Sequence, residues 1–368
     1  MTSARLTSDV REGWTSRRST RSEWSVTLRR LAAMSDGELG ALDLAALSLW
    51  AGQCLPGAEA LDIGASLRLL TAWSDLVRAN TKHWWSEFER SPGTYDHSPG
   101  RFRMLALVTV LQRDLGVRYY LPFSQGEYDA RDSRNLFLHG ILSGHGGTCV
   151  TLPVLYIAIG RSLGYPLHLV QAKEHLFARW DEPGGERFNI ECTSLGFRAP
   201  DDDHYRHSPK PLTAQDLASG QFRRSLAPRE VLALLLKERG QCLMDHLRLD
   251  ESLEAFSYSN QLAPSLPGLQ YAWATATVLH RAIESAKRRT RVAGHNRLDV
   301  SNLPLPSGPD DFGNAVNRNA RDHLQRIVKI HSRKTVSAHS HLFEQLGAGG
   351  NPFSEGVTSC TTPPWDVG

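Results

Sequence analysis

From His175 to Thr193 the chain reads HLFARWDEPGGERFNIECT, two alternating arms joined by a Pro-Gly-Gly turn. In the first arm Leu176, Ala178 and Trp180 fall on one face, and His175, Phe177, Arg179 and Asp181 on the other. In the second arm Phe188, Ile190 and Cys192 oppose Asn189, Glu191 and Thr193. Successive side chains leave a pleated strand on opposite faces, so a period of two on either side of a Pro-Gly turn spells a β-hairpin. No other segment restricts the fold as tightly: this one must join an antiparallel sheet whose even-numbered face meets a core. A three-residue loop at Glu182-Pro183-Gly184 pairs Asp181 with Gly185, and the same register sets His175 opposite Glu191 on one face.

Just upstream, SGHGGTCVTLPVLYIAIGRSLGYP joins a glycine-rich turn to an apolar run with helical spacing. Pro153 suits the first turn of a helix, where its missing N–H is not needed, so Cys149 falls at the helix N-terminus. There the helix dipole and the unpaired backbone N–H groups favour a thiolate. Gly144, Gly146 and Gly147 allow the backbone to come close to a substrate carbonyl. Nucleophilic acyl transfer needs a cysteine so placed, an imidazole to move its proton, and a carboxylate to orient the imidazole. Cys149, His175 and Glu191 supply all three. Asn189, one same-face step away, is the alternative orienter, since an amide oxygen also accepts the imidazole N–H. Each residue has a plainer counterpart: a small buried cysteine, a polar strand start, a solvated strand residue. Cys192 shares a face with Phe188 and Ile190 and is expected to pack in the core.

Five cysteines (Cys54, Cys149, Cys192, Cys242 and Cys360) form no CxxC pair, which argues against a zinc ribbon or a disulfide framework and for a reducing compartment. The basic, hydroxyl-rich N-terminus has no continuous apolar stretch and no later run approaches bilayer length, so a cytoplasmic location without membrane attachment is expected. A net charge of +3 over 368 residues is too small to argue for nucleic acid. The chain divides into a basic flexible N-terminus (1–23), a helical region (24–116), the catalytic-looking core (117–205), further helices (206–288) and a Gly/Pro/Ser-rich tail, partly disordered (289–368). The expected fold class is α+β, the Cys149 helix packing on an antiparallel sheet with helices on both sequence sides.

GTCVTLPVLYIAIGRSLGYPLHLV, then HLFARW, then FNIECTSLGF closely resemble the transglutaminase-like superfamily, and within it the bacterial SirB1-type branch. The resemblance implies a papain-like core with Cys149 as nucleophile, His175 as base and Glu191 as the acid of an acid-x-Thr strand motif. Asp is the commoner acid there, so Glu191 is a departure that keeps the charge and lengthens the arm. Many members carry an upstream tryptophan or other oxyanion-hole donor. Here Asn135, Gln125 and Tyr128 are the candidates, beside the Cys149 backbone N–H. LDESLEAFSYSNQLAPSLPG resembles half of a tetratricopeptide repeat, as in helices that follow SirB1-type cores. The implied activity is hydrolysis of a peptide or isopeptide amide through a thioester, with a protein or peptide as substrate. The alternative is a catalytically silent scaffold that binds a partner protein through its helices. No calcium loop occurs and no cofactor is expected. A metal site from His139, His145, Cys149 and His175 fits no standard zinc spacing.

Overall fold

The computed structural model describes residues 21–120, 129–292 and 312–325. Its first half is helical: α1 (Arg21–Ala32), α2 (Asp36–Gly40), α3 (Leu44–Gly52), α4 (Ile63–Arg90) and α5 (Pro99–Thr109). The 28-residue α4 buries Ile63, Leu70, Ser74, Val77, Thr81 and Phe88, one stripe at helical spacing, and its N-terminus is capped by the Asp62 carboxylate. Every residue of α3 is buried, so this short helix lies inside the molecule with no solvent face. Ser98 caps α5, Pro99 fills its first turn, and a π turn at Val110–Asp114 extends it towards Gly116, which has the left-handed φ of +66° that suits a glycine terminator.

After the short α6 (Leu138–Leu142) comes α7 (Thr151–Ser162), followed by β1 (Leu167–Ala172), β2 (His175–Asp181) and β3 (Arg187–Ile190). The three strands form one antiparallel sheet in the order β1-β2-β3, packed against α7. The hairpin register differs from the expected one: Asp181 pairs with Arg187, Arg179 with Asn189 and Ala178 with Ile190. The loop is Pro183-Gly184-Gly185, one residue later than read from the sequence, closed by the Glu182 N–H on the Glu186 carbonyl at 3.0 Å. Pro183 and Gly184 thereby take the two central positions of a turn, with Gly184 at φ +71° where glycine is favoured. Glu186, which closes the loop, is tied to the start of α5: its carboxylate accepts from the Ser98 hydroxyl and the Gly100 N–H. Moving the loop by one residue shifts the register by two, which leaves every side chain on its expected face.

The odd-numbered face of β2 is covered rather than solvated. Phe177 joins Val170, Ala172 and Tyr205 in a small cluster, Tyr205 coming from α8 (His204–His207). The chain after α9 (Ala214–Ser219) returns along β1, where Arg223 and Leu226 donate to the Gln171 and Leu169 carbonyls. It then enters α10 (Pro228–Asp245), α11 (Leu249–Leu262), α12 (Leu269–Val292) and a last helix at 312–325. Val231, Leu232, Leu235 and Leu236 of α10 belong to the same hydrophobic cluster as α3, α7 and the even face of the sheet. Arg239 fastens α10 to the N-terminal helices, its guanidinium 4.2 Å over the Trp24 ring and donating to the Ala51 and Gln53 carbonyls. One core thus runs through residues assigned from sequence to three regions, while α11, α12 and the last helix add a smaller second cluster.

Candidate active site

Cys149 and Val150 form the turn that leads into α7, and Val150 is already helical at φ −88°, ψ −47°. The first turn closes on Thr148, whose carbonyl accepts from the Leu152 N–H at 3.0 Å. The Thr148 hydroxyl oxygen accepts from the Val150 and Thr151 N–H groups at 3.2 and 3.4 Å, and the Thr151 hydroxyl oxygen accepts from the Thr148 N–H at 2.8 Å. This is a reciprocal capping box with threonine in the place usually held by Glu or Gln. The Cys149 N–H takes no part in it. Ahead of the cap, a Cβ on Gly147 would lie 2.5 Å from the Leu152 side chain, so only glycine allows this approach.

Burial is the largest influence on the Cys149 thiol. Together with the Glu238 and Glu191 carboxylates it pushes the pKa up to about 12, against the smaller opposing pull of the residue's own N–H and Lys237. The helix start by itself favours a thiolate; with the residue only 8% exposed, desolvation outweighs the dipole and the thiol stays protonated.

Extending the observed register one step sets Glu191 level with Phe177, so Glu191 reaches His175 diagonally, its Oε2 accepting from Nε2 at 2.9 Å. The Tyr205 hydroxyl donates to the same oxygen at 3.0 Å, while the Thr193 N–H and hydroxyl donate to Oε1 at 2.9 and 2.6 Å. Four donors saturate this half-buried carboxylate. Burial alone would raise the Glu191 pKa, but the hydrogen bond and charge of His175, with the Thr193 donors, hold it at about 2. Tyr205 is held in turn by stacking on Phe177, with ring centroids 3.7 Å apart.

Cys149 and His175 line one cavity of about 420 Å³ with Val150, Gln171, Glu174 and Leu176, and α10 closes it through Leu234, Lys237 and Glu238. Asn189 is not at this end of the sheet. Its amide oxygen accepts from Arg179 Nε at 2.7 Å and its amide nitrogen donates to Pro200 O and Asp202, so it orients Arg179 and not His175. Asn135 is also committed: its side chain donates to the Asp129 carbonyl and meets His145 Nε2, which removes it from the oxyanion-hole candidates. Gln125 and Tyr128 lie outside the described residues. Tyr119, which forms an isolated bridge with Gly147, stands near the thiol, its phenol pKa raised by burial first and then by Cys149 and Glu191.

Tyr205, Tyr119 and the two charged residues of α10 carry no local signal in the sequence, since each arrives by tertiary packing from outside the helix–hairpin motif. Cys192 packs in the core as expected. His139 and His145 turn to Ser133 and Asn135, and among the described residues no group of three or more His, Cys, Asp or Glu is placed to hold a metal ion. No helix among the described residues is long and apolar enough to cross a membrane.

A family model described as the transglutaminase-like superfamily matches residues 69–236, from within α4 to within α10. Residues 69–236, a little under half of the chain, are thus similar to a transglutaminase-like domain, and Cys149, His175 and Glu191 all fall inside the matched stretch. No curated protein and no solved structure matches the chain.

Proposed function

We propose that this protein is a cysteine-dependent acyl-transfer enzyme of the SirB1-type branch, hydrolysing a peptide or isopeptide amide through a thioester on Cys149. The observation that carries the reading is the saturated Glu191 carboxylate behind His175, in a cavity that His175 shares with Cys149. A carboxylate bonded to Nε2 fixes the tautomer with its proton there and leaves Nδ1 as the base. Because the thiol is protonated at rest, deprotonation accompanies attack: Nδ1 takes the thiol proton as sulfur bonds to the carbonyl carbon. The Cys149 N–H supports the oxyanion. His175 then gives that proton to the departing amine as the C–N bond breaks, and afterwards takes one from water, which attacks the thioester and returns the thiol.

One observation favours the scaffold reading instead, in which the helices, including the TPR-like pair, bind a partner: the thiol is buried and hard to ionise. Iodoacetamide labelling at neutral pH, read by mass spectrometry, separates the two. The enzyme reading expects Cys149 to react faster than Cys192 and Cys242, and His175→Ala to abolish that advantage. Equal rates, unaffected by His175→Ala, would establish the scaffold.

A further inference from the structure

Gln112 lies in the π turn Val110–Asp114 that extends α5, closed by the Leu115 N–H on the Val110 carbonyl at 3.0 Å and seated on the buried Val110 and Leu111. Its side-chain amide meets three partners: Nε2 donates to the Tyr156 hydroxyl oxygen of α7 and to the Ser194 carbonyl, both at 3.0 Å, and Oε1 accepts from the Gly196 N–H at 2.8 Å. The Ser194 carbonyl and the Gly196 N–H are thus answered by the two ends of one amide, as a neighbouring strand would answer them in a ladder. The turn needs such a partner. β3 ends at Ile190, and from Thr193 to Phe197 no backbone–backbone hydrogen bond occurs among the described residues. From within, only the Ser194 hydroxyl braces it, at 3.1 and 3.3 Å from the Glu191 and Gly196 carbonyls. Thr193, directly before Ser194, supplies Glu191 Oε1 with two of its four donors, the N–H and the hydroxyl. Tyr156 is 1% exposed in the helix that starts behind Cys149, so the same amide ties the turn beside the acid to the helix of the thiol.

We infer that Gln112 is a positioning residue for the acyl-transfer site: it holds the Ser194–Gly196 turn, which keeps Thr193 against Glu191 and so Glu191 against His175. The inference rests on Cys149, His175 and Glu191 acting as proposed above. It puts part of the acid's orientation on a π turn outside the cavity, whose lining does not include Gln112.

Gln112→Met keeps the length of the side chain and removes all three hydrogen bonds. In the full chain, kcat for p-nitrophenol release from p-nitrophenyl acetate, counted per folded molecule, should fall by about tenfold with KM within about twofold of wild type, because the loss falls on the base and not on binding. Gln112→Glu keeps the acceptor for Gly196 but sets an oxygen against the Ser194 carbonyl; it should fall at least as far, and it carries the test if the Met variant does not fold. Thr193→Val should cost a similar factor, and the double variant well short of the product of the two, since both act on one contact. A pH series separates positioning from plain packing. Lost packing lowers the unfolding free energy alike at every pH, whereas a loosened Thr193 raises the Glu191 pKa from about 2 towards 4.5, so the stability lost between those pH values should shrink in Gln112→Met. Release that depends on Cys149 and His175, with kcat in the Gln112 variants within about twofold of wild type or with the two single costs multiplying, overturns the inference alone. Release that is the same in Cys149→Ala as in wild type removes the acyl-transfer reading and the inference with it.

Discussion

His175 and Arg179 stand four residues apart on the same face of β2, each held by a polar residue from the second arm of the hairpin. At the Arg179 end the guanidinium is 1% exposed, and Asn189, Asp202 and the Arg223 carbonyl take up its donors. At the His175 end the partner is a carboxylate saturated by four donors, and the imidazole borders a cavity that contains a thiol. One end is closed on every side and can only hold the covering segment to the sheet. The other is closed behind the ring and open in front. The difference teaches that a buried polar pair becomes a candidate for chemistry when one member keeps an atom facing space that a ligand can enter.

Substitution at Glu191 should separate the ends most sharply. In Glu191→Gln the side-chain amide has a donor of its own to place among the four donors that surround Glu191. Directed at His175 Nε2, it selects the tautomer with the proton on Nδ1, which cannot accept from the thiol. Release of p-nitrophenol from p-nitrophenyl acetate should fall by about a thousandfold or more, with the far-ultraviolet circular dichroism of the fold retained.

The acid side of the stability curve gives the next effect. Glu191 is held near 2 against a usual 4.5, so its contribution is fully present above about pH 4.5 and is lost as pH falls towards 2. The loss amounts to about 3 kcal/mol, measured by urea unfolding across that window, and Glu191→Gln should flatten it. His139, kept near 4 by burial, acts earlier, its loss falling between about pH 6.5 and 4, and this part should survive the Glu191 substitution.

At the closed end, Asn189→Ala leaves Arg179 Nε buried without its acceptor. Unfolding free energy should drop by about 2 kcal/mol, while acylation of the folded protein stays within about threefold of wild type. The reverse ranking, with Asn189 governing acylation and Glu191 tolerant, would exchange the roles given to the two ends. The mildest change is Tyr205→Phe, which keeps the stack on Phe177 and removes one donor to Glu191. A cost of about 1 kcal/mol is expected, with the Glu191 acid transition moved upward. An unmoved transition would mean that the Tyr205 hydroxyl has no hold on the site.

Period-two alternation put His175 and Glu191 on one face, and that survived an error in register because the loop slid by one residue and the pairing by two. The glycine turn and Pro153 likewise marked the start of α7. These signals are local, written within a few residues of where they act. The position of the loop was harder to read because Glu186 answers to Ser98 and Gly100, more than eighty residues away. The burial that keeps Cys149 protonated, the Tyr205 hydroxyl, and Glu238 on α10 depend on segments brought together only by the fold. Asn189 and Asn135 looked eligible for the site on type and spacing, and both are taken by partners that no short motif records.

The threonine cap ahead of α7 has a consequence for anyone redesigning this protein. A search for thermostabilising changes would flag Thr151, because a glutamate there completes the usual helix-start motif and adds a favourable charge at the dipole. Two residues from Cys149, that same charge would oppose formation of the thiolate. Hydroxyl for hydroxyl, Thr148 and Thr151 secure the helix start without adding a charge beside the sulfur, and because Thr151 is only 1% exposed, a glutamate put there by the motif rule would be desolvated and would lose heat resistance as well as reactivity.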